Sequence, residues 1–173
     1  IDSMDKNHMY IGMSYGGVFE TSNKGRTWNP LNQGVEADYL KKTNPTYGHD
    51  PHSVALHPYK AERLYQQNHC GIYRIDRPAK KWVRIGDNMP ADIGDIGFPI
   101  AIHPNDPNIL WVFPIDGTEA WSRVCPEGQP AIYCSTDGGD SWFRQDIGLP
   151  MRNAWLTVLR NGLNTDCMIP TGV

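Results

Sequence analysis

The sequence has little that would place the protein in a membrane or on a nucleic acid. None of its 173 residues belongs to an apolar run long enough to span a bilayer. The 16 basic and 19 acidic residues give a net charge of −3, so no basic surface is expected to neutralise phosphates. Collagen-like periods and long charged tracts are also absent. We therefore expect a globular protein whose partners include neither membranes nor nucleic acids.

Neither the cysteines nor the N-terminus decides the compartment. The four cysteines lack the CxxC spacing of a zinc site, and Cys125 and Cys134 are consistent with a hairpin disulfide and equally with free thiols. Ile1 is followed at once by acidic residues instead of an apolar leader segment. This favours the cytoplasm, and secretion stays open if further residues precede Ile1.

Glycine and proline are frequent, and the chain contains an internal repeat. The 17 glycines and 14 prolines interrupt every stretch with an apolar 3.6-residue period, so helices are not expected. Residues 53–65 and 100–111 share one order: a short apolar strand, a His-Pro turn at His57 or His103, and a second strand that opens with leucine and an aromatic residue. A third strand follows each. Such self-similarity indicates a repeat architecture.

A second repeated pattern, S/T-x-D-x-G-x-T/S-W, follows these third strands. Residues 135–142 read STDGGDSW, residues 21–28 read TSNKGRTW, and residues 74–82 are a degenerate copy, RIDRPAKKW. The pattern predicts a tight hairpin turn in which the Asp or Asn side chain binds backbone N–H groups two residues on, glycine adopts a positive φ, and tryptophan packs onto its own sheet. The residues concerned are Asn23, Gly25, Trp28, Asp76, Trp82, Asp137, Gly139 and Trp142.

These turns resemble the Asp-box (BNR) repeat of sialidase-like β-propellers, and the resemblance covers essentially the whole chain. The phrases DPHSVALHP at 50–58 and QNHCGIYR at 67–74 are similar to a subgroup of bacterial Asp-box proteins that are labelled glycosyl hydrolases. The resemblance implies an all-β fold, a β-propeller built from four-stranded antiparallel blades whose strands run A to D from the channel outward. It divides the chain into blade segments of roughly 1–50, 51–98 and 99–150, with the first strand of a next blade, 155–159, inside 151–173.

The chain therefore supplies about three blades' worth of a single propeller domain, whereas closed propellers have typically four to eight blades. A partial ring leaves strand edges and apolar faces uncovered. We expect as partners either the remaining blades of the same propeller or a second chain that exchanges strands with this one.

The blade topology assigns the loops to two faces of the propeller. The turns that join strands A to B and C to D share one face, here called the turn face. The D–A and B–C connections share the opposite face around the channel, here called the loop face, where ligand sites of propellers usually lie. We expect the Asp-box residues, His57 and His103 to be structural, since they lie on the turn face.

The loop face carries the candidate metal ligands His52 and His69. His52 begins an innermost strand and His69 occupies the B–C turn of the same blade, so both imidazoles and Asp50 are expected to be neighbours. They could bind a divalent metal or serve as a general acid and base. The structural alternative is a hydrogen-bonded cluster that holds a long loop over the blade. A divalent metal is the one cofactor that the sequence suggests.

A carbohydrate ligand is a second expectation for the loop face. Sugars bind carboxylates, arginines and flat aromatic rings, and their hydrolysis usually needs two carboxyl groups roughly 5–10 Å apart. The catalytic candidates are Asp50, Asp116 and Glu119, with Asp95 as a further carboxylate. The substrate-binding candidates are His52, Asn68, His69, Trp121, Arg123 and Arg152.

Three functions stay open on these grounds. The first is a carbohydrate-acting protein related to glycosyl hydrolases, and the second is a non-catalytic propeller that binds protein or glycan, as in the sortilin receptors. The third is a metal-binding propeller without hydrolysis. The resemblance to sialidases implies an arginine triad, which we do not find in the sequence, so sialidase activity itself is not expected.

Overall fold

The computed structural model describes residues 1–41, 45–115, 117 and 123–173, and its regular structure is almost entirely β. Eleven strands form three antiparallel sheets, and two short 3₁₀ turns, Gly86–Asn88 and Pro126–Gly128, lie in the connections. Nowhere in these ranges does a helix reach the length and apolar character that crossing a membrane requires. The expectation of an all-β fold is confirmed.

The first sheet contains three strands in sequence order: β1 (Met9–Met13), β2 (Gly17–Thr21) and β3 (Asn29–Pro30). They correspond to strands B, C and D of the predicted blade. Among the described residues no strand pairs with β1 on the side away from β2, so β1 is an edge strand.

The second and third sheets have four strands each, as predicted. The second consists of β4 (Pro51–His57), β5 (Lys60–Asn68), β6 (Gly71–Asp76) and β7 (Val83–Arg84). The third consists of β8 (Gly97–Ile102), β9 (Leu110–Pro114), β10 (Ile132–Ser135) and β11 (Phe143–Gln145). Consecutive strands pair in both sheets, which gives the A-to-D meander of a blade.

Two apolar layers hold the sheets together. Alternate side chains of a strand point to opposite faces, so Tyr73 of β6 packs towards the first sheet and Ile72 packs towards the third. The layer between the first two sheets contains Val18, Leu31, Val35, Leu64, Tyr73, Ile75 and Trp82. The layer between the second and third contains Tyr65, Ile72, Ile85, Met89, Ile100, Leu110, Val112, Ala131, Tyr133 and Trp142.

The repeated tryptophans join neighbouring sheets, which corrects the expectation that each packs onto its own sheet. Trp82 Nε1 donates to the Leu31 carbonyl of the first sheet at 2.8 Å, and Trp142 Nε1 donates to the Ile85 carbonyl of the second at 3.2 Å. Trp28, which has no preceding sheet beside it in the described residues, is 39% exposed. The indole N–H needs a partner once it is buried, and the neighbouring sheet supplies it.

The turns at 21–28 and 135–142 share one hydrogen-bond pattern. Asp137 Oδ1 accepts from Ser141 N and Asn23 Oδ1 accepts from Thr27 N, at 2.8 and 2.9 Å. These donors lie four residues on, not two as predicted. Gly139 has the expected positive φ of 97°. In the degenerate copy the Asp76 carboxylate instead pairs with Arg63 and Arg74 at 2.5 and 3.4 Å.

The His-Pro turns behave as the sequence predicts. His57 Nδ1 accepts from Tyr59 N at 3.2 Å, and His103 Nδ1 accepts from the N–H groups of Asn105 and Asp106, both at 3.1 Å. Both imidazoles thus stabilise the backbone of their own turn.

In the C-terminal part the structure differs from one expectation, the strand at 155–159, and decides one point that the sequence left open, the state of Cys125 and Cys134. Residues 155–159 form no strand, because no strand lies beside them; the Leu156 carbonyl accepts from Cys125 N, and Ala154 N donates to Gly128 O. All four cysteines are free thiols, so Cys125 and Cys134 form no disulfide. The Cys125 thiol donates instead to the Ala154 carbonyl at 2.9 Å.

Candidate functional site

Asp50, His52 and His69 meet at one end of the second sheet. β4 begins at Pro51 and β5 ends at Asn68, and these two residues are cross-strand partners because the strands are antiparallel. A backbone hydrogen bond from His69 N to the Asp50 carbonyl, at 2.9 Å, extends this pairing by one residue on each strand. The expectation that the two imidazoles and this carboxylate are neighbours is therefore confirmed.

The three side chains have the spacing of a loosely assembled metal-ligand set. One atom of each, an imidazole nitrogen or a carboxylate oxygen, lies within 4.8 Å of the others. A tetrahedral ion with bonds of about 2.0–2.1 Å holds its ligand atoms about 3.3 Å apart. The cluster must therefore contract by about 1–1.5 Å to enclose such an ion, which small rotations of the half-buried Asp50 and His69 side chains towards the buried His52 can supply.

The protonation of His52 favours a cation at this point. Its Nδ1 lies 2.6 Å from the Gly97 carbonyl oxygen, which can only accept, so Nδ1 carries the proton. Burial lowers the pKa of His52, and this favours the neutral ring. The unprotonated Nε2 then faces the Asp50 carboxylate at 3.6 Å, so two acceptors face each other without a donor between them. A divalent cation would satisfy both.

Asp50 is also held by the neighbouring sheet. Ser14, in the turn between β1 and β2, donates its hydroxyl to Asp50 Oδ1 at 2.5 Å. This turn is the B–C connection of the first sheet, on the loop face. The cluster therefore lies where the first and second sheets meet, and sequence reasoning missed Ser14 because nothing in its local pattern indicates the contact.

A row of aromatic rings leads from solvent to this cluster. Tyr15 and Tyr39 lie in contact, with ring centroids 6.1 Å apart, and Tyr39 meets His69 edge-on at 5.5 Å. His69 meets His52 at 5.5 Å, and His52 stacks on Phe98 at 4.7 Å. Tyr15 is 71% and Tyr39 is 40% exposed, so both offer ring faces to a ligand. The sequence analysis identified neither tyrosine as a candidate.

Tyr39 and Arg160 add polar groups at the edges of this row. Burial raises the pKa of Tyr39 to about 12, so its hydroxyl stays protonated and donates to the Gly48 carbonyl at 2.8 Å. The Arg160 guanidinium lies over the Phe98 ring at 5.9 Å, and its charge contributes to the lowered pKa of His52. Arg160 was also not a sequence candidate, since it follows a segment expected to be a strand.

The other residues that the sequence suggested for the site do not join Asp50, His52 and His69 as possible ligands. Asn68 is fully buried, and its side chain accepts from Cys70 N at 3.2 Å, so it supports the turn that carries His69. Asp95 is bound by Arg84 through two bonds of 2.9 and 3.0 Å, a bidentate pair that uses both carboxylate oxygens. Arg123 and Arg152 are exposed. Asp116, Glu119 and Trp121 lie outside the described residues.

No family model matches the sequence, and no curated protein matches it. Solved structures do resemble the fold, among them that of an ancestral GH74 enzyme, with a TM-score of 0.62 and 17% identity over 96% of this chain and 19% of that chain. The GH74 xyloglucanase from Xanthomonas campestris matches with a TM-score of 0.53 and 16% identity over 80% of this chain and 18% of its own. YCF48 bound to D1 peptide matches with a TM-score of 0.50 and 15% identity over 84% of this chain and 40% of its own.

The chain thus spans less than half the length of each of these proteins. At such low identity the likeness bears on the fold alone. Three antiparallel sheets, two shared apolar layers and these neighbours together identify the chain as an all-β, partial β-propeller.

Proposed function

We propose that this part of a β-propeller binds a divalent cation on its loop face through Asp50, His52 and His69. The observation that carries the proposal is the convergence of these three side chains, with ligand atoms within 4.8 Å of one another. Two neutral imidazoles and one carboxylate are a ligand set that suits zinc and its late first-row neighbours, and would leave a coordination position for water or substrate.

The surroundings of the cluster support this assignment. The Gly97 carbonyl orients His52 through Nδ1, which is the kind of supporting bond that metal-binding imidazoles receive. Ser14 does the same for Asp50. The alternative, a purely structural hydrogen-bonded cluster, leaves His52 Nε2 facing a carboxylate at 3.6 Å without a proton to share.

The test is direct titration of the chelator-treated protein with Zn²⁺ and Co²⁺ by calorimetry, with the visible spectrum of bound Co²⁺ as a second readout. His69→Ala should weaken binding by at least about tenfold, since one of three ligands is lost. The matched control is His103→Ala, a half-buried histidine of a turn on the opposite face. Equal binding by His69→Ala and the unaltered protein would contradict the proposal.

A second candidate function, carbohydrate recognition beside the cation site, is favoured by the exposed rings of Tyr15 and Tyr39. Their faces suit the C–H surfaces of sugar rings, and Asp50 with the bound cation would receive hydroxyl groups. Two of the structural neighbours are GH74 enzymes, one of them a xyloglucanase, and this supports a glycan as the class of ligand. Hydrolysis would pair Asp50 with Asp116 or Glu119, as the sequence predicts.

Calorimetry with xyloglucan and cello-oligosaccharides tests this candidate. Tyr15→Ala should weaken binding several-fold, whereas Tyr59→Ala, an equally exposed tyrosine of a His-Pro turn, should not. Release of reducing sugar that disappears in Asp50→Asn would support the carbohydrate-acting function. Glycan binding without release would support the non-catalytic alternative, and no binding of any glycan would contradict this second candidate.

A further inference from the structure

A cavity of about 400 Å³ opens between the first and second sheets, on the turn face. Glu20 of β2, with Asn29 and Pro30 of β3, forms one wall, and Arg77 and Lys80, in the turn that joins β6 to β7, form the other. Its volume lies in the range of pockets that hold small ligands. The cavity is on the opposite face from the proposed cation site.

At the junction of the second and third sheets the corresponding space is closed. There the repeated turn pattern is regular: Trp142 lies five positions after Asp137, with Gly139 between them. Gly139 packs so closely on Ile85 of the preceding sheet that a Cβ would lie 2.5 Å from Ile85 Cδ1. A regular turn therefore leaves no cavity at this point.

The cavity is found where the turn pattern is degenerate. Trp82 lies six positions after Asp76, and no glycine stands between them. Leu31 is the equivalent of Ile85, since each lies three positions after the tryptophan of its own sheet and its carbonyl accepts from the indole of the next sheet. Leu31 lines the cavity. The longer turn thus leaves open the space that a glycine closes at the other junction.

The Glu20 carboxylate in this cavity is already bound by other side chains. Oε1 accepts from Arg77 Nε at 3.1 Å and from His8 Nε2 at 2.8 Å, and Oε2 accepts from Arg77 Nη2. Burial acts to raise the pKa of Glu20, but the bonds from Arg77 and His8 outweigh it and lower that pKa, so the carboxylate is charged. Glu20 therefore fixes the Arg77 guanidinium in place and neutralises its charge.

Positive charge remains on the wall formed by the turn. Of the five N–H groups of Arg77, two donate to Glu20 and one to the Ala79 carbonyl, and the other two have no partner in the described part of the chain. Lys80 is exposed and forms no ion pair with a described residue. The Lys80 ammonium is thus the uncompensated charge of the cavity, and it favours an anionic ligand.

The opposite wall offers hydrogen bonds and an apolar surface. Asn29 and Gln33 line the cavity and are exposed, so their side-chain amides are accessible to a ligand. Each amide both donates and accepts, which suits hydroxyl groups. The exposed ring of Pro30 lies beside them and suits the C–H face of a small ring.

We propose that this cavity binds a sugar acid, a single pyranose ring with one carboxylate, such as a hexuronate. The carboxylate meets Lys80 and the two remaining N–H groups of Arg77. The hydroxyl groups meet the amides of Asn29 and Gln33, and one face of the ring lies on Pro30. This site is separate from the proposed cation site, and its ligand needs no metal.

The experiment is calorimetric titration of the chelator-treated protein with D-glucuronate. D-glucose is the matched ligand, because it has a neutral hydroxymethyl group where glucuronate has the carboxylate. Glucuronate should bind saturably, at least about threefold more tightly than glucose, and more weakly as salt is added. Inorganic phosphate carries charge without a sugar ring and should bind more weakly than glucuronate.

Substitutions assign the binding to this cavity. Lys80→Gln should weaken glucuronate binding about three- to fivefold, and Gln33→Ala at least about twofold. Lys81→Gln is the matched control, because Lys81 is also exposed but does not line the cavity, and it should leave the affinity unchanged. Equal affinity for glucuronate and glucose, phosphate binding as tight as that of glucuronate, equal effects of the two lysine substitutions, or no saturable binding would each overturn the proposal.

Discussion

His52 Nδ1 donates to the Gly97 carbonyl at 2.6 Å, and this bond joins the innermost strand of the second sheet to that of the third. The bond determines which nitrogen of His52 faces Asp50. The chemistry of the cluster thus depends on how the second and third sheets pack.

Stability should fall on acidification, partly through His52. Burial lowers its pKa from the ordinary value of 6.5, so the folded protein binds fewer protons than the unfolded protein as the pH drops below that value. The stabilising contribution is present above pH 6.5 and is lost as the pH falls through the lowered pKa. Melting temperatures measured between pH 7.5 and about 5 should decrease, and less steeply in His52→Gln. An identical slope in that variant would contradict the prediction.

Trp82→Phe should destabilise the protein by about 1.5–4 kcal/mol, because it removes buried volume and leaves the Leu31 carbonyl without its donor. The measurement is urea unfolding followed by circular dichroism. Trp155→Phe is the control: at 60% exposure its effect should stay within about 0.5 kcal/mol. Comparable losses in both variants would argue against a junction role for the indole.

Gly139→Ala should cost more stability than Gly148→Ala. Both glycines have a positive φ, 97° and 90°, so both substitutions strain the backbone by about 1 kcal/mol. A Cβ at Gly139 would lie 2.5 Å from Ile85 Cδ1, whereas one at Gly148 meets no atom within 4 Å. We expect an extra loss of about 1–3 kcal/mol for Gly139→Ala in thermal or urea unfolding. Equal losses would show that the contact with Ile85 relaxes freely.

Asp137→Ala should reduce stability by about 1–2 kcal/mol and leave cation binding unchanged. The carboxylate accepts from Ser135 Oγ at 2.8 Å and from Ser141 N and Oγ at 2.8 and 2.6 Å, so its loss opens the turn. Asp140→Ala, with a side chain 69% exposed, is the control and should be nearly neutral. A loss of Zn²⁺ affinity in Asp137→Ala would give this turn a functional role that the structure does not indicate.

The sequence predicts the strands and turns well because their signals are local. The His-Pro turns and the motif around Asp137 specify backbone hydrogen bonds within a few residues, and these turns separate one strand from the next. Asp50, His52 and His69 are also predictable, since antiparallel topology alone makes them neighbours. The strand predicted at 155–159 does not form, because strand formation there depends on another sheet.

Contacts from other sheets explain what the sequence misses at the candidate site. Ser14 and Tyr15 reach it from the first sheet, and Tyr39 reaches it from a connection without any periodicity. For residues 155–159 the apolar pattern is clear, but a strand forms only beside a partner strand. Local sequence cannot specify the packing of one sheet on another, and these residues depend on it.

The indole bonds of Trp82 and Trp142 make the two junctions between the sheets chemically alike. The donor lies just before the last strand of the second and third sheets, and the acceptor lies three residues after the tryptophan of the first and second sheets, so both junctions use the same hydrogen bond. A unit inserted between two sheets would bring its own tryptophan and its own acceptor carbonyl, so this hydrogen bond would be kept on both sides of it. The junction thus depends on one repeated donor and acceptor pair and not on a set of contacts particular to each pair of sheets.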